Sequence, residues 1–375
     1  MEINMKKITR PLSLLLAVLM LFPLVSCKKD KEGDGGDGDF TWNPYPYENL
    51  GEFISLPDYK SFTISQAFID EQINIILASL FDDQALYVDV TSGRAAAKWD
   101  RVKLDYVSIV VDGETVFPVP SDGDDSDEQE ENSTTFVIGV GVAYPDIEEA
   151  VIGMTLNSEK TLTFTFPEDY AGVPEYAGKE ATFVFKLTKH QEPPELNDDL
   201  CYRYTSYINV EVMTRMFEQE IMYTELWNYM LENATLLKRP EKEFNDYYNA
   251  FLDVFKTYAK SNNKTLEEYV TTEGQNFPSM GLYAGITMDE FYRIANNYAD
   301  ENLKNDLILH YLIRLEDLKT SGGLYDAAQR ELLLSYGVGY TIDSLIEQHG
   351  KEAIVTSIMD IQVRKRVLGY VTKTP

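Results

Sequence analysis

The spacing of apolar residues changes twice along this chain. Residues 53–64, "FISLPDYKSFTI", read as one strand-like arm. In the next stretch, "SQAFIDEQINIILASLF", Phe68 or Ile69, Ile73, Ile76 or Leu77 and Leu80 fall on one face of a helix. From Arg101 the period drops to two. "RVKLDYVSIVV" reaches an Asp112-Gly113 turn and "ETVFPV" follows it. "TTFVIGV" predicts another strand, "PDIEEAVIG" a short helix, and "TLTFTF" and "ATFVFKLTKH" two more strands. Together these predict an α+β unit, a curved antiparallel sheet crossed by one short helix.

Beyond Pro193 the helical period returns. Phe244, Tyr248, Phe251, Phe255 and Tyr258 step by threes and fours behind Pro240. Thr287 with Glu290, and Thr265 with Glu268, carry the spacing of a capping box, in which a hydroxyl and a carboxylate satisfy each other's backbone donors. The first pair opens a long helix with a stripe of Phe291, Ile294, Tyr298, Leu307 and Tyr311. A last helix from about Lys351 carries Ile354, Ile358, Ile361 and Leu368. "VMTRMFEQEIMYTELWNYM" is rich in thioethers and rings, which suit both a core and a surface that accepts many partners, so part of it is expected in each. No repeat of 20–50 residues is present.

Length and charge narrow the function. A chain of 375 residues exceeds one core and predicts two or three domains. A net charge of -29 repels phosphate backbones, which argues against a nucleic-acid partner. His190, His310 and His349 are far apart in sequence, which gives no support to a histidine metal centre or a Ser-His-Asp triad. No cofactor or metal is expected. At the start, "MKKITR" and "PLSLLLAVLMLFPLV" form the basic and apolar parts of a secretory signal. "LVSC" looks like a bacterial lipobox, with cleavage before Cys27 and a lipid on its sulfur. The expectation is a protein outside the cytoplasm, held to a bacterial membrane through Cys27. Cys201 is then left without a disulfide partner, and a packed thiol is expected. "KKDKEGDGGDGD" reads as a flexible spacer, since Phe40, Thr41 and Trp42 follow where a calcium loop needs a glutamate. "SDGDDSDEQEEN", residues 121–132, reads as a solvated acidic loop.

Four stretches carry a resemblance. "WDRVKLDYVSIVVDGETVF", "FVIGVGVAYPDIEEAVIGM", "TLTFTFPEDYAGVPEYAGKEATFVFKL" and "PPELNDD" resemble the FKBP-type prolyl isomerase domain of trigger factor. The arm and helix before them resemble the segment linking that domain, and the helical tail resembles, more weakly, the C-terminal chaperone arms. The resemblance divides the chain into a signal peptide (1–26), a tether (27–46), a linker arm and helix (47–96), an FKBP-like domain (97–191) and an all-α chaperone domain with extended arms (192–375). It implies no ribosome as partner, because the ribosome-docking domain has no counterpart here. It implies a peptidyl-prolyl cis-trans isomerase and chaperone acting on unfolded or exported polypeptides with X-Pro bonds.

The implied cup is Tyr106, Phe117, Phe136, Tyr144, Ile147, Tyr170 and Phe183. Ile147 is its floor, Phe136 and Phe183 are walls, Tyr144 offers a backbone N–H, and Tyr170 is swung over the groove by the corner at Pro167. The barrier to X-Pro rotation comes from amide resonance, and a dry aromatic cup lowers it without a nucleophile. Ser108, Pro118 and Ile147 depart from the family pattern, which implies weakened or lost activity. The alternatives are an inactive chaperone or peptide-binding scaffold and a surface lipoprotein binding an unrelated ligand such as a glycan.

Overall fold

Ala181, Phe183, Phe185 and Leu187, each two residues from the next, are all buried, while the residues between them are partly exposed. The strand that carries them is the axis of a sheet. The computed structural model describes residues 42–117, 132–168, 170, 173–273, 277, 280–283 and 285–375. Residues 1–26, Cys27 with the tether's masked part, Pro118 and nearly all of the acidic loop lie outside them.

The elements begin with β1 (Ile54–Ser55) and β2 (Thr63–Ser65). Then come α1 (Gln66–Asp83), β3 (Val88–Asp89), β4 (Arg101–Val111), β5 (Glu114–Phe117) and β6 (Ser133–Val137). After these follow α2 (Pro145–Val151), β7 (Glu159–Thr165), β8 (Glu180–Glu192), α3 (Asp198–Tyr204) and α4 (Val210–Asn233). The chain ends with β9 (Thr235–Leu236), α5 (Glu241–Ser261), α6 (Leu266–Glu273), α7 (Met288–Leu315), α8 (Gly323–Tyr336), α9 (Ile342–His349), α10 (Lys351–Leu368) and β10 (Thr372–Thr374). The chain is therefore α+β. It divides into two compact units, residues 66–218 and residues 42–65 with 219–375.

In the first unit β8 runs antiparallel to β4 along most of its length, with Leu104 opposite Leu187 and Ile109 opposite Phe183. β7 pairs with the other edge of β8 over Glu180–Lys186, and β3 with its end at Gln191 and Glu192. β6 and β5 share the outer edge of β4, β6 at Arg101–Asp105 and β5 at Ile109–Val111. The register of β4 against β8 slips twice, at Lys103/Leu104 and at Tyr106/Ser108. Such slips bend and twist a strand, and they curl this sheet around α2. Val102, Leu104, Phe136, Ile138, Ile147, Val151, Phe185 and Leu187 are buried in the resulting core.

In α1 the ambiguous positions resolve to Ile69 and Leu77, which with Ile73 and Phe81 make an i, i+4 row, while Leu80, expected on that face, is only half-buried and Phe68 turns outward. The strand expected over 134–140 stops at Val137. The N–H of Ile138 goes to the Asp100 carbonyl, and Gly139 takes a φ of 93° that leaves the strand region.

The second unit is helical. Ala299, Leu303, Leu307 and Leu312 of α7 pack with Val355, Met359, Val363 and Val367 of α10 and with Tyr223, Leu226 and Met230 of α4. The arm differs from the expected single strand over 53–64. A helical turn at Tyr59–Ser61 separates two short strands, and just before it the Tyr59 N–H turns back on the Pro57 carbonyl at 2.8 Å. Burying the ring of Tyr59, whose hydroxyl meets Glu316 at 2.5 Å, outweighs continuing the strand. β1 pairs with β9, and β2 pairs in parallel with β10.

Thr265 and Glu268 form the full box, satisfying each other's backbone donors at 2.8 and 3.1 Å. At Thr287 only the hydroxyl half stands, accepting the Glu290 N–H at 3.2 Å, because the Glu290 carboxylate takes the Tyr283 hydroxyl at 2.6 Å and Arg293 at 3.0 Å instead. In the thioether-rich run Met213, Ile221, Tyr223, Leu226 and Met230 are buried and Met216, Phe217, Met222, Trp227 and Tyr229 are half-buried. Cys201 is buried beside Thr205 and Met213.

Candidate functional site

The inward face of β7 and its extended continuation place Leu162, Phe164 and, just past the strand's end, Phe166 side by side, because residues two apart on an extended chain share a face. β8 supplies Phe183 across from Leu162. These rings build the site. Phe164 lies nearly parallel to Tyr144 at 4.6 Å and to Phe183 at 5.5 Å, and Tyr106 meets Phe183 edge-on at 6.0 Å. Phe166 continues the cluster, stacked on Tyr170 at 4.5 Å and on Tyr176 at 5.8 Å.

The corner that carries Tyr170 is fixed by the backbone. Its N–H donates to the Pro167 carbonyl at 3.0 Å, and the N–H of Gly178 reaches the Phe166 carbonyl at 3.1 Å. Gly178 has a φ of 71°, and a Cβ there would meet the Glu168 carboxylate at 2.9 Å. Only glycine suits that place. Tyr170 comes to rest on Phe166 with its edge toward Tyr144 at 6.2 Å.

A second device holds Tyr144. The loop 139–143 wraps around the carboxylate of Glu148, which accepts N–H groups from Gly139 at 2.6 Å and Ala143 at 3.0 Å. Burial pushes the Glu148 carboxyl above its ordinary range, and those backbone donors oppose the push. Tyr144 then caps α2 with Pro145 at the first helical position, and its N–H meets no acceptor among the described residues.

Of the seven cup residues expected, six lie in one cluster: Phe136, Ile147 and Phe183 buried, with Tyr106, Tyr144 and Tyr170 half-buried against them. Phe136 is 1% exposed and Ile147 4%, so these side chains form the foundation under the tyrosines and present almost no surface. Phe117, on β5, is half-buried and stands outside that cluster. Sequence reasoning passed over Phe164, Phe166 and Tyr176 as site residues, although the alternation in "TLTFTF" put the first two on the cluster's face. Glu148 gave no local signal, since its partners are backbone groups of a loop.

The tyrosines share one electrostatic property. Burial pushes Tyr106 up to about 12, and it raises Tyr144 and Tyr170 as well, with Asp146 adding to the first of these and Tyr176 to the second. All three hydroxyls stay protonated at neutral pH, and none has a hydrogen-bond partner among the described residues. A cluster of rings with unspent donors can desolvate an amide and bond its carbonyl oxygen.

Residues 92–188 match the model of the FKBP-type peptidyl-prolyl cis-trans isomerase family. The chain is 23% identical over 279 residues to the trigger factor of Desulforamulus reducens, covering 71% of this chain and 59% of that protein. It is 26% identical over 321 residues to the trigger factor of Pelobacter propionicus, covering 80% of this chain and 64% of the relative. With the trigger factor of Staphylococcus carnosus it shares 25% identity over 358 residues, 92% of this chain and 74% of that protein. The chain thus spans about three-fifths of the length of the first two. Its middle segment is FKBP-type, and over most of its length the chain is trigger-factor-like.

Proposed function

We propose that this protein is a peptidyl-prolyl cis-trans isomerase and folding chaperone, held outside the cytoplasm to a bacterial membrane by lipid on Cys27. The observation that carries the isomerase reading is the cluster of Tyr106, Tyr144 and Tyr170 over Phe164, Phe166 and Phe183 within the FKBP-type segment. An X-Pro amide resting on these rings loses water from its carbonyl, which weakens the resonance form and favours the twisted state. Tyr170 donates to the client carbonyl, and the Tyr144 N–H donates to the adjoining peptide group. No nucleophile or metal enters this step. The clients are unfolded or exported polypeptides, a reading supported by the similarity to trigger factors. The anchor is supported by "LVSC" behind a basic and apolar leader.

A second reading, a chaperone whose FKBP-type domain binds without catalysing, is favoured by the stacking itself. Phe164 already covers the faces of Tyr144 and Phe183, and Phe166 covers Tyr170. Ser108, Pro118 and Ile147 point the same way. Proline-limited refolding of a reporter protein separates the two. The isomerase reading predicts a rate that rises with added protein, and aggregation suppressed without any rate increase establishes the second. Metabolic labelling with an alkyne palmitate, compared between the native chain and Cys27→Ser, tests the anchor; equal labelling of both removes it.

A further inference from the structure

Near the end of α10 the helical unit carries an open hollow of about 430 Å3, lined among the described residues by Leu324, Lys365, Arg366, Gly369 and Tyr370. That volume lies in the range of small-ligand sites, roughly 300–1,000 Å3. Its charges are unequally spent. Lys365 is paired with Glu331. Glu316 is nearly buried and already serves three donors: the hydroxyl of Tyr59 at 2.5 Å, that of Tyr370 at 2.6 Å and the ammonium of Lys60 at 2.8 Å. Among the described residues Arg366 has only a distant approach to Glu316, 3.8 Å from its Nε, beyond hydrogen-bond reach. Its side chain is 45% exposed at the hollow. Lys60, Lys365 and Arg366 against Glu316 and Glu331 leave one positive charge over, in a chain whose net charge is -29.

We infer that this hollow binds a single carboxylate carried on an apolar body, either the free C-terminus of an apolar peptide or a fatty acid. The planar fork of an arginine matches a carboxylate with two parallel hydrogen bonds, which an ammonium cannot do. One uncompensated cation suits a monoanion, and a phosphate calls for more. The rest of the lining suits the apolar body. Leu324, the ring of Tyr370 and the methylene stems of Lys365 and Arg366 offer carbon surface, and Gly369 leaves room beside them. The Tyr370 ring is held in place from both ends. Its hydroxyl is tied to Glu316, and the Lys60 ammonium lies 4.8 Å from the ring centre. This site does not depend on the proline cluster, so the inference stands or falls apart from the isomerase reading.

The test uses the full-length chain in nanodiscs of phosphatidylcholine, with empty nanodiscs as the blank. The probes are a fluorescent hexapeptide ending in Leu-Phe with a free carboxylate, its amidated twin, and octanoate with inorganic phosphate as competitors. The free acid is expected to bind at least about tenfold more tightly than the amide, the difference a charge-assisted pair makes. Arg366→Gln and Leu324→Trp should each abolish that preference, the first by removing the fork and the second by filling the hollow. Arg366→Lys should keep only part of it. Thermal midpoints equal to the parent's show that the variants fold. Octanoate that binds and loses its affinity in Arg366→Gln, beside equally weak acid and amide peptides, assigns the site to the acyl chain. Equal binding of acid and amide with no octanoate binding overturns the inference, as does a preference unchanged in both Arg366→Gln and Leu324→Trp.

Discussion

Tyr170 and Asp100 show how differently two single residues can matter in one domain. The Tyr170 hydroxyl is unspent among the described residues, and its ring is already packed on Phe166. Tyr170→Phe therefore keeps the packing and deletes only the donor. If the cluster catalyses, kcat/KM for a proline peptide should fall up to roughly tenfold, the worth of one hydrogen bond of about 0.5–1.5 kcal/mol, with the thermal midpoint unchanged. Asp100 sits 2% exposed at the foot of β4. It takes both arms of Arg94 at 2.5 and 2.7 Å, the ring of His190 at 2.8 Å and the N–H of Ala97 at 2.8 Å. Burial pushes its carboxyl up, and Arg94, His190 and Ala97 outweigh that push and hold it below the ordinary range. A depressed carboxylate stabilises the fold above its unfolded value of about 3.9 and loses that contribution as pH falls through the lower folded value. Asp100→Asn should cost about 1–3 kcal/mol in urea at pH 7, because the amide cannot accept from Arg94, His190 and Ala97 together, although Arg94 keeps Glu192 at 3.0 Å. Its deficit should shrink on the acid side of that range. Trp99 fluorescence reports both.

Elements were legible where neighbours in sequence decide them. The alternation of β8, the Ile69, Ile73 and Leu77 positions on α1 and the hydroxyl caps of Thr265 and Thr287 follow from periods and spacings alone, and the structure keeps them. The loop between β6 and α2 was not legible. Ile138 looked like a strand residue until its N–H found Asp100, 38 positions away in the chain. Gly139 is where this loop tolerates least change. Its φ is 93°, and a Cβ would meet the Lys98 side chain at 2.7 Å and the Trp99 ring at 3.3 Å. Gly139→Ala should cost about 1–2 kcal/mol from the backbone conformation alone. The added clash, with the loop drawn away from Glu148, should broaden the Tyr144 ring signals in NMR spectra. Unchanged stability and spectra would mean that this loop does not position Tyr144. The site was legible to a similar degree. Six of the seven expected side chains share one cluster, yet the rings that stack on them, Phe164 and Phe166, were read only as parts of a strand.

At the scale of the whole molecule buried His310 and half-buried Asp360 of the helical unit set a pH dependence. Burial, with the Arg314 charge adding to it, pushes His310 down to about 3. Burial pushes Asp360 up to about 6, opposed by Arg364 and aided by Asp306. The signs are opposite in effect. A histidine with a lowered folded value costs stability as pH falls from 6.5 toward 3, since the unfolded chain takes the proton first. A carboxylate with a raised folded value contributes below its unfolded value of 3.8 and loses that contribution as pH rises through about 6. Between about pH 4 and 6 the two slopes nearly cancel, so the pair's joint contribution falls only in stronger acid and is level above about pH 7. Asp360→Asn removes the loss that sets in as pH rises through about 6, and it should stabilise the helical unit at pH 8 by on the order of 1–3 kcal/mol relative to its effect at pH 4. A deficit of the same size at both pH values would show that Asp360 titrates normally.

By itself the sequence determined the period of each segment, the helix starts, the α+β class and the resemblance to FKBP-type and trigger-factor proteins. All of these rest on residues a few positions apart, whose geometry backbone sterics dictate. Only the tertiary structure decided which segments share a core. The arm before residue 66 falls in one unit with the helices, and residues 66–218 form the other. β2 found β10 more than three hundred residues away, Glu148 found its backbone donors, and Arg366 was left over beside a saturated Glu316. Such pairings bring together groups that no local pattern connects. Burial selects among them, because each buried charge and donor must meet a partner or carry the cost of lost water.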